Sequence, residues 1–321
     1  MIPMHCWVIG RGGMLGSGVE QRLRLATNVY EPKLRFSWNE PDLFAREIEQ
    51  EVHDFGKAVA GGQWSIYWCA GVGTVAASEE VLQNEVENIE HFLAAVKNSP
   101  GLRSDQGSLF YSSSAGGIYA GVTSLPITEQ TEVVPRSAYG LQKLKNEEMF
   151  GAFGHEQGVR VLLGRIANLY GPAQNRSKGQ GLVTAICQSY IRRKPAQIFV
   201  GLDTVRNYIY VDDAVESIVR AMGIIADMPN GSVETKIIAS NQNLTISAVL
   251  KECQTAFGSA PSVVLSRSRD LSAYPPDLRM KSMNFCDADN FEPTPFVVGV
   301  HRVYRNLLKS NQAGQLAEAR N

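Results

Sequence analysis

The stretch Cys6-Trp7-Val8-Ile9-Gly10-Arg11-Gly12-Gly13-Met14-Leu15-Gly16 is the one on which the fold turns. Its four leading apolar residues suit a short, buried parallel strand. Glycines at 10, 13 and 16 follow, and then a helical pattern through Val19, Leu23, Leu25 and Ala26. Strand, glycine turn and helix in that order are the context of a dinucleotide-binding fingerprint. The glycines permit a tight turn, close approach to a pyrophosphate and packing of helix on strand. The helix N-terminus adds N–H donors and a partial positive charge. The spacing is GxxGxxG, because Leu15 stands where a GxGxxG reading through Gly10 and Gly12 needs its third glycine. Arg11, Met14 and Leu15 complete the loop expected to hold the cofactor.

Working outward, the second strand is assigned to Leu34–Trp38, which ends without the acidic residue that would hold an NAD ribose 2′-hydroxyl. Arg11, and Arg35 less directly, lie where a 2′-phosphate would sit, so between NAD and NADP the cofactor leans to NADP. Asp42 has two readings, a contact to adenine or a cap on the next helix, and capping is preferred. That helix covers Leu43 to Val59 and stops at Gly61-Gly62. Trp64–Gly71 is a buried strand whose last residues, Ala70 and Gly71, let a flat cofactor pass close to the backbone. Helical spacing covers Glu79 to Val96. Leu109-Phe110-Tyr111-Ser112-Ser113-Ser114 then leaves three serines at the carboxyl end of a strand, the edge that faces the ligand crevice in doubly wound sheets.

Some 25 residues on, Ser137-Ala138-Tyr139-Gly140-Leu141-Gln142-Lys143 places a phenol and an ammonium at i and i+4 of a helix. A positive charge beside a phenol favours the phenolate, and a proton-transfer group works best when its pKa approaches the operating pH. A strand over Gly158–Gly164 leads into Arg165-Ile166-Ala167-Asn168-Leu169-Tyr170-Gly171-Pro172, where regular alternation stops. The division expected is a dinucleotide-binding domain over 1–172, with segments returning near 207–213 and 236–240, a second lobe over 173–308, and a fraying polar tail over 309–321.

Composition narrows the function. The chain has 321 residues, 44% hydrophobic and 20% charged, ordinary for a globular protein. A formal net charge of -1 offers no electrostatic footprint for nucleic acid or an anionic membrane. The five cysteines are scattered without a CxxC pair, which fits reduced thiols, a cytoplasmic location and no metal site. No apolar run approaches the roughly 18 residues of a membrane span, and Met1–Gly10 reads as strand rather than signal peptide.

Together, Gly10-x-x-Gly13-x-x-Gly16, Ser112-Ser113-Ser114, Tyr139-x-x-x-Lys143, Arg165-x-x-Asn168-x-Tyr170-Gly171-Pro172 and Arg206-Asn207-Tyr208-Ile209-Tyr210-Val211-Asp212-Asp213 resemble the extended short-chain dehydrogenase/reductase family. More narrowly, they resemble its NAD-dependent epimerase/dehydratase group acting on nucleotide sugars, over roughly residues 4–300. The resemblance implies an α/β fold, a Rossmann-type doubly wound parallel sheet with a smaller C-terminal α/β substrate-binding lobe. It implies that Tyr139 accepts and returns a proton, that Ser114 (or Ser113, one register away) bonds the reacting oxygen, and that Lys143 binds the nicotinamide ribose. Ser112 joins the cofactor set. Asn168 would meet the nucleotide-sugar phosphates, Arg206 would clamp the diphosphate, and Arg267, Arg269 or Arg279 would supply a second clamp. A homodimer through the Glu79–Val96 and Tyr139–Phe153 helices is also implied.

The departures discriminate among chemistries. The 4,6-dehydratases of the group carry an Asp-Glu pair after the catalytic hydroxyl residue, whereas Ala115-Gly116-Gly117 follows Ser114 here. Epimerase-reductases of the GDP-fucose synthase kind need a cysteine at that point and a histidine after Tyr-Gly-Pro, and Ala173–Val183 contains none. C4 epimerisation through a transient keto sugar is therefore expected, with NADPH-dependent reduction of a keto sugar or carbonyl as the alternative. The Tyr139/Lys143 pair speaks against a non-catalytic dinucleotide-binding regulator.

Overall fold

The computed structural model describes residues 5–71, 77–172, 181–266 and 275–312. In the first half strands and helices alternate: β1 (His5–Ile9), α1 (Met14–Leu23), β2 (Asn28–Val29), α2 (Pro41–Val59), β3 (Trp64–Trp68), α3 (Glu79–Asn98), β4 (Gly107–Ser114), a short α4 (Ala115–Ile118), α5 (Ala138–Gln157) and β5 (Arg160–Ile166). Thereafter come β6 (Asn168–Tyr170), α6 (Leu182–Ile191), β7 (Ala196–Ile198), β8 (Val205–Tyr210), α7 (Val211–Ala226), β9 (Val233–Ile238), β10 (Asn243–Thr245), α8 (Ile246–Phe257), β11 (Val263–Leu265), β12 (Asp277–Leu278) and α9 (Phe296–Gln312).

Six strands form one parallel sheet in the order β2-β1-β3-β4-β5-β9, the Rossmann-type doubly wound arrangement. Every residue of β3 is buried, as expected of a strand covered on both faces. On one face Phe44, Ile48, Val52, Phe55, Phe92 and Phe150 pack on Trp7, Trp68 and Tyr111. The stripe Phe44–Ile48–Val52–Phe55–Val59 shows why α2 is a helix that lies down on the sheet. On the other face Val19, Leu23, Val215, Ile218 and Met222 of α1 and α7 cover Tyr67, Phe110 and Leu162. The chain returns to this sheet through α7 and β9, a longer segment than the sequence suggests. β8 is instead the centre of a second sheet, with β10 antiparallel to it and β6 and β12 parallel. β7 and β11 pair separately. α9 continues through Lys309 to Gln312, so the first four residues of the expected fraying tail are helical. Among the described residues no helix is long and apolar enough to cross a membrane.

The second strand differs from the sequence reading. β2 is Asn28–Val29, paired with His5 and Cys6, while Leu34–Trp38 forms no strand. Phe36 and Trp38 are apolar for another reason: they stack against Trp7, Phe44 and Trp68. The buried Glu51 accepts from the Tyr30 hydroxyl and from the Lys33 and Leu34 N–H groups, which pins the loop. An acidic residue does follow the true strand: Glu31, two residues past Val29.

Candidate active site

The order of strands reverses between β1 and β3, and ligands of such sheets bind at the carboxyl edge of that switch point. Ile9 pairs with Trp68, so Gly10 emerges beside Cys69 and Ala70. Gly10 adopts φ +89°, and a Cβ there would fall 2.5 Å from the Ala70 nitrogen. A Cβ on Gly16 would fall 2.3 Å from the Gly10 carbonyl oxygen, so this glycine lets α1 start against the loop. Gly13, the N-cap of α1, makes no side-chain cap bond, and no acidic residue occupies the first turn. The helix thus presents its amino end, with its partial positive charge, to an anion. This cradle fits the pyrophosphate of a dinucleotide. Leu15 points its side chain into the core, which leaves only its main chain to a cofactor, and Met14 is packed against Gly171.

Around α1 and the end of β2, Arg11 Nη1 donates to Glu20 Oε1 at 3.3 Å, Arg24 donates to the same oxygen at 2.7 Å, and Arg24 also pairs with Glu31. The absence of an acidic residue inferred from Leu34–Trp38 is therefore corrected: carboxylate and guanidinium groups occupy this end together. Asp42 does not cap. Glu40 is the N-cap of α2, without a side-chain cap bond, and Asp42 is an exposed first-turn residue whose carboxylate complements the helix dipole.

α5 carries the Tyr139/Lys143 pair. Ser137 caps it by accepting from the Gly140 N–H at 3.1 Å. Tyr139, Lys143 and Glu147 follow at i, i+4 and i+8 on one face. Glu147 takes a bidentate Arg165 guanidinium from β5, which also donates to the Tyr119 hydroxyl at 2.6 Å and so ties α5 to the sheet. Lys143 is buried, its Nζ 5.8 Å from the Tyr139 ring centre, 3.3 Å from the Tyr111 hydroxyl and 2.7 Å from Glu85 Oε1. Burial alone would pull this ammonium down, but the Glu85 carboxylate, aided by the Tyr111 and Tyr139 phenols, holds it well above the ordinary lysine value. Burial pushes the Tyr111 phenol up, so its hydroxyl stays neutral and accepts from Lys143 and from Asn146.

The serines divide by strand alternation. Ser113 shares its face with Tyr111 and is 5% exposed, its hydroxyl without a hydrogen-bond partner among the described residues. Ser112 and Ser114, both half-buried, point to the other side of β4. Ser114 is the N-cap of α4, its Oγ accepting from the Gly117 N–H at 3.3 Å, which leaves the hydroxyl proton to donate elsewhere. α4 and α5 cross at glycines: a Cβ on Gly140 would meet the Gly117 carbonyl at 2.3 Å, and one on Gly117 would come within 3.0 Å of the Tyr139 ring. Contacts therefore run without a break from Gly10 to Ala70, Gly71, Lys143, Tyr139 and the Ser114–Gly117 turn. Glycine loop, serine turn and Tyr/Lys pair share one edge of the sheet.

The residues expected from the sequence to meet a substrate are less gathered. Asn168 is exposed at the start of β6, with its Nδ2 donating to the Asn207 carbonyl at 3.0 Å. Arg206 is buried in β8, its Nη1 on the Val205 carbonyl at 2.8 Å. Asp213 is engaged by the Thr294 N–H and hydroxyl. Arg279 is held by Asp277 at 2.6 Å, while Arg267 and Arg269 lie outside the described residues. Glu85 is the residue that sequence reasoning missed. Its signal was a carboxylate on the buried stripe Leu82–Glu85–Val86–Ile89 of α3.

Fold and site define a Rossmann-type protein with a dinucleotide cradle and an adjoining Ser/Tyr/Lys edge. Its sequence matches the model of the NAD dependent epimerase/dehydratase family over residues 6–233, and the chain belongs to that family. Among curated relatives, the UDP-glucose 4-epimerase of Azospirillum brasilense is 30% identical over 123 residues, 34% of this chain and 35% of the relative. That of Mycolicibacterium smegmatis is 27% identical over 134 residues, 42% and 43% of the two chains. GDP-mannose 3,5-epimerase 1 of Oryza sativa subsp. japonica is 25% identical over 232 residues, 66% and 60%. The aligned regions of the first two thus span well under half of the relatives' length. Among solved structures, the UDP-glucose 4-epimerase of Thermotoga maritima with UDP-glucose superposes with a TM-score of 0.75 at 21% identity, covering 96% of this chain and 100% of that one. RMD from Pseudomonas aeruginosa complexed with NADPH gives 0.73 at 21%, covering 94% and 98%. The likeness to these structures establishes the fold.

Proposed function

We propose that the chain is an NAD(P)-dependent nucleotide-sugar epimerase acting at C4 through a transient keto sugar. The observation that carries this reading is the unbroken edge that joins the Gly10–Gly16 cradle to Lys143, Tyr139 and Ser114. Bound there, a nicotinamide dinucleotide supplies the position to which a hydride leaves the sugar and from which it returns. The chain's own residues do the rest. Tyr139 takes the proton of the C4 hydroxyl and gives it back, and the Ser114 hydroxyl donates to the same oxygen as its charge grows. The Lys143 ammonium places a positive charge beside the phenol that must release its proton. Arg206, through a guanidinium suited to phosphate, and Asn168 hold the nucleotide diphosphate. No carboxylate follows Ser114 in α4, the place where elimination of water would call for a second acid/base. The relatives named as UDP-glucose 4-epimerases support the substrate class. A homodimer through α3 and α5 belongs to the same reading, with Leu141 58% exposed on α5.

The test is mass spectrometry of nucleotide released by denaturation, combined with NMR of UDP-glucose incubated with the protein. Stoichiometric NAD together with formation of UDP-galactose is the expected result. An empty site that takes up NADPH and oxidises it once per keto sugar reduced would replace this reading with a reductase. Arg11 and Arg24 at the adenosine end favour that second reading, since both can meet a 2′-phosphate.

A further inference from the structure

Lys143 is gripped from a second helix. Glu85 of α3 accepts its ammonium at 2.7 Å, with side-chain exposures of 5% for the lysine and 6% for the glutamate. A carboxylate on the apolar stripe of a helix is costly unless it is paired, and losing one member of a buried pair leaves the other charge uncompensated. Among the described residues, the charged and titratable groups facing the ammonium are Glu85 from α3, Tyr111 from β4 and Tyr139 from α5. Above the pair lies Gly71, just past the end of β3. A Cβ on Gly71 would stand 3.3 Å from Lys143 Nζ and 3.5 Å from Glu85 Oε1. Glycine at 71 lets the backbone pass close over the ion pair with no side chain between them.

We propose that Glu85 is a positioning residue for Lys143: pairing from α3, it holds the lysine as an ammonium ion beneath Gly71, in the path of a nicotinamide ribose. The proposal rests on the dinucleotide site described above. Tyr139 and Lys143 come from one helical turn, so their spacing is built into α5. The position of the ammonium along its four-carbon stem is not, and Glu85 supplies the constraint from an element 58 residues away. Burial, the largest influence on this lysine, opposes the charged form, and Glu85 is the largest influence that restores it. The lysine is therefore held in its charged form.

The test is NADH binding, followed by nucleotide fluorescence from about pH 7 to about pH 10.5, across the ordinary lysine range. It uses the full chain, E85Q, E85D, K143M and the E85Q/K143M double variant. Wild-type affinity is expected to stay flat. E85Q should bind NADH on the order of tenfold more weakly, the scale of one charge-assisted contact, and lose further affinity as pH rises. E85D, which keeps the charge, should stay within a few-fold of wild type with a flat profile. The double variant should bind as K143M does, because Glu85 acts through the lysine. An E85Q affinity and profile matching wild type would overturn the proposal, as would an E85Q loss undiminished in the K143M background. Should E85Q alone fail to fold, E85D and the double variant, which buries no unpaired charge, carry the same decision. Wild-type protein that binds neither NADH nor NADPH overturns the dinucleotide reading itself.

Discussion

The two halves of this molecule hold their functional residues in different ways. In the parallel-sheet half, Gly10, Gly16, Ser114, Tyr139 and Lys143 occupy ends or single turns of elements, and the sheet's carboxyl edge brings them into line. In the half built around β8, Asn168 is tied to the Asn207 carbonyl, Arg206 to the Val205 carbonyl and Arg279 to Asp277. The first half is shaped before a ligand arrives, because backbone conformation fixes the cradle. The second presents side chains already hydrogen-bonded to protein partners. On the proposed function, the reacting end is thus preorganised, and binding of a diphosphate would be an exchange of hydrogen bonds.

The sharpest way to break this contrast is at Tyr139. Tyr139→Phe should lower turnover of a nucleotide sugar by roughly 10²- to 10⁴-fold, the range of general acid–base catalysis, while NADH affinity stays within a few-fold. Turnover near wild type, measured by NMR of the sugar, would remove the phenol from the mechanism. Next comes the cradle. Gly10→Ala forces a side chain into φ +89° against the Ala70 backbone, and the left-handed conformation alone costs about 1–2 kcal/mol. Its melting temperature should fall by several degrees and NADH binding should be lost, whereas Gly12→Ala, where an added Cβ meets nothing within 4 Å, should change neither.

A smaller effect separates the halves directly. Arg206→Met should raise KM for the nucleotide sugar by roughly tenfold or more, the worth of a hydrogen bond to a charged group, and leave the Kd for NADH unchanged. A change in NADH affinity instead would place Arg206 on the cofactor side. The smallest effect concerns the adenosine end. Glu31→Ala should shift preference toward NADPH by a few-fold only, because Arg24 and Glu31 form an exposed pair of modest strength. Comparative binding of NADH and NADPH reads it out.

Acid stability offers a further probe in the β8 half. The Arg279 guanidinium hydrogen-bonds Asp277 and holds its carboxyl below the usual carboxylate range. A depressed carboxylate contributes stability above its unfolded pKa and loses it as pH falls through the folded value. The melting temperatures of wild type and Arg279→Met should therefore differ slightly at neutral pH and converge as Asp277 protonates below about pH 4.

Much of the first half was legible because its signals are local. A GxxGxxG turn between an apolar strand and a helix, and a Tyr/Lys pair one turn apart, depend on neighbours in the chain. The misplaced second strand shows the limit of such reading. Asn28–Val29 is too short to show a period, and Phe36 and Trp38 drew the assignment because they are apolar. Their burial belongs to an aromatic stack with Trp7 and Trp68, which no strand pattern encodes. The inferred lack of an acidic residue fell with that strand. Asp42 misled in a similar way, since the helix starts at Pro41, two residues earlier than Leu43, and moves the cap to Glu40.

By itself, the sequence determined the dinucleotide cradle, the strand that ends in Ser114 and the turn that pairs Tyr139 with Lys143. Each is set by dihedral freedom or helical spacing within a few residues. Only the tertiary structure decided that Glu85 grips Lys143 under Gly71, that Glu31 and Glu20 pair with Arg24 while Arg11 joins Glu20, and that Asn168 leans on β8. Those relations join side chains dozens of residues apart or across a turn of undefined register. Their energies exist only once the sheet has brought the partners out of water and into contact.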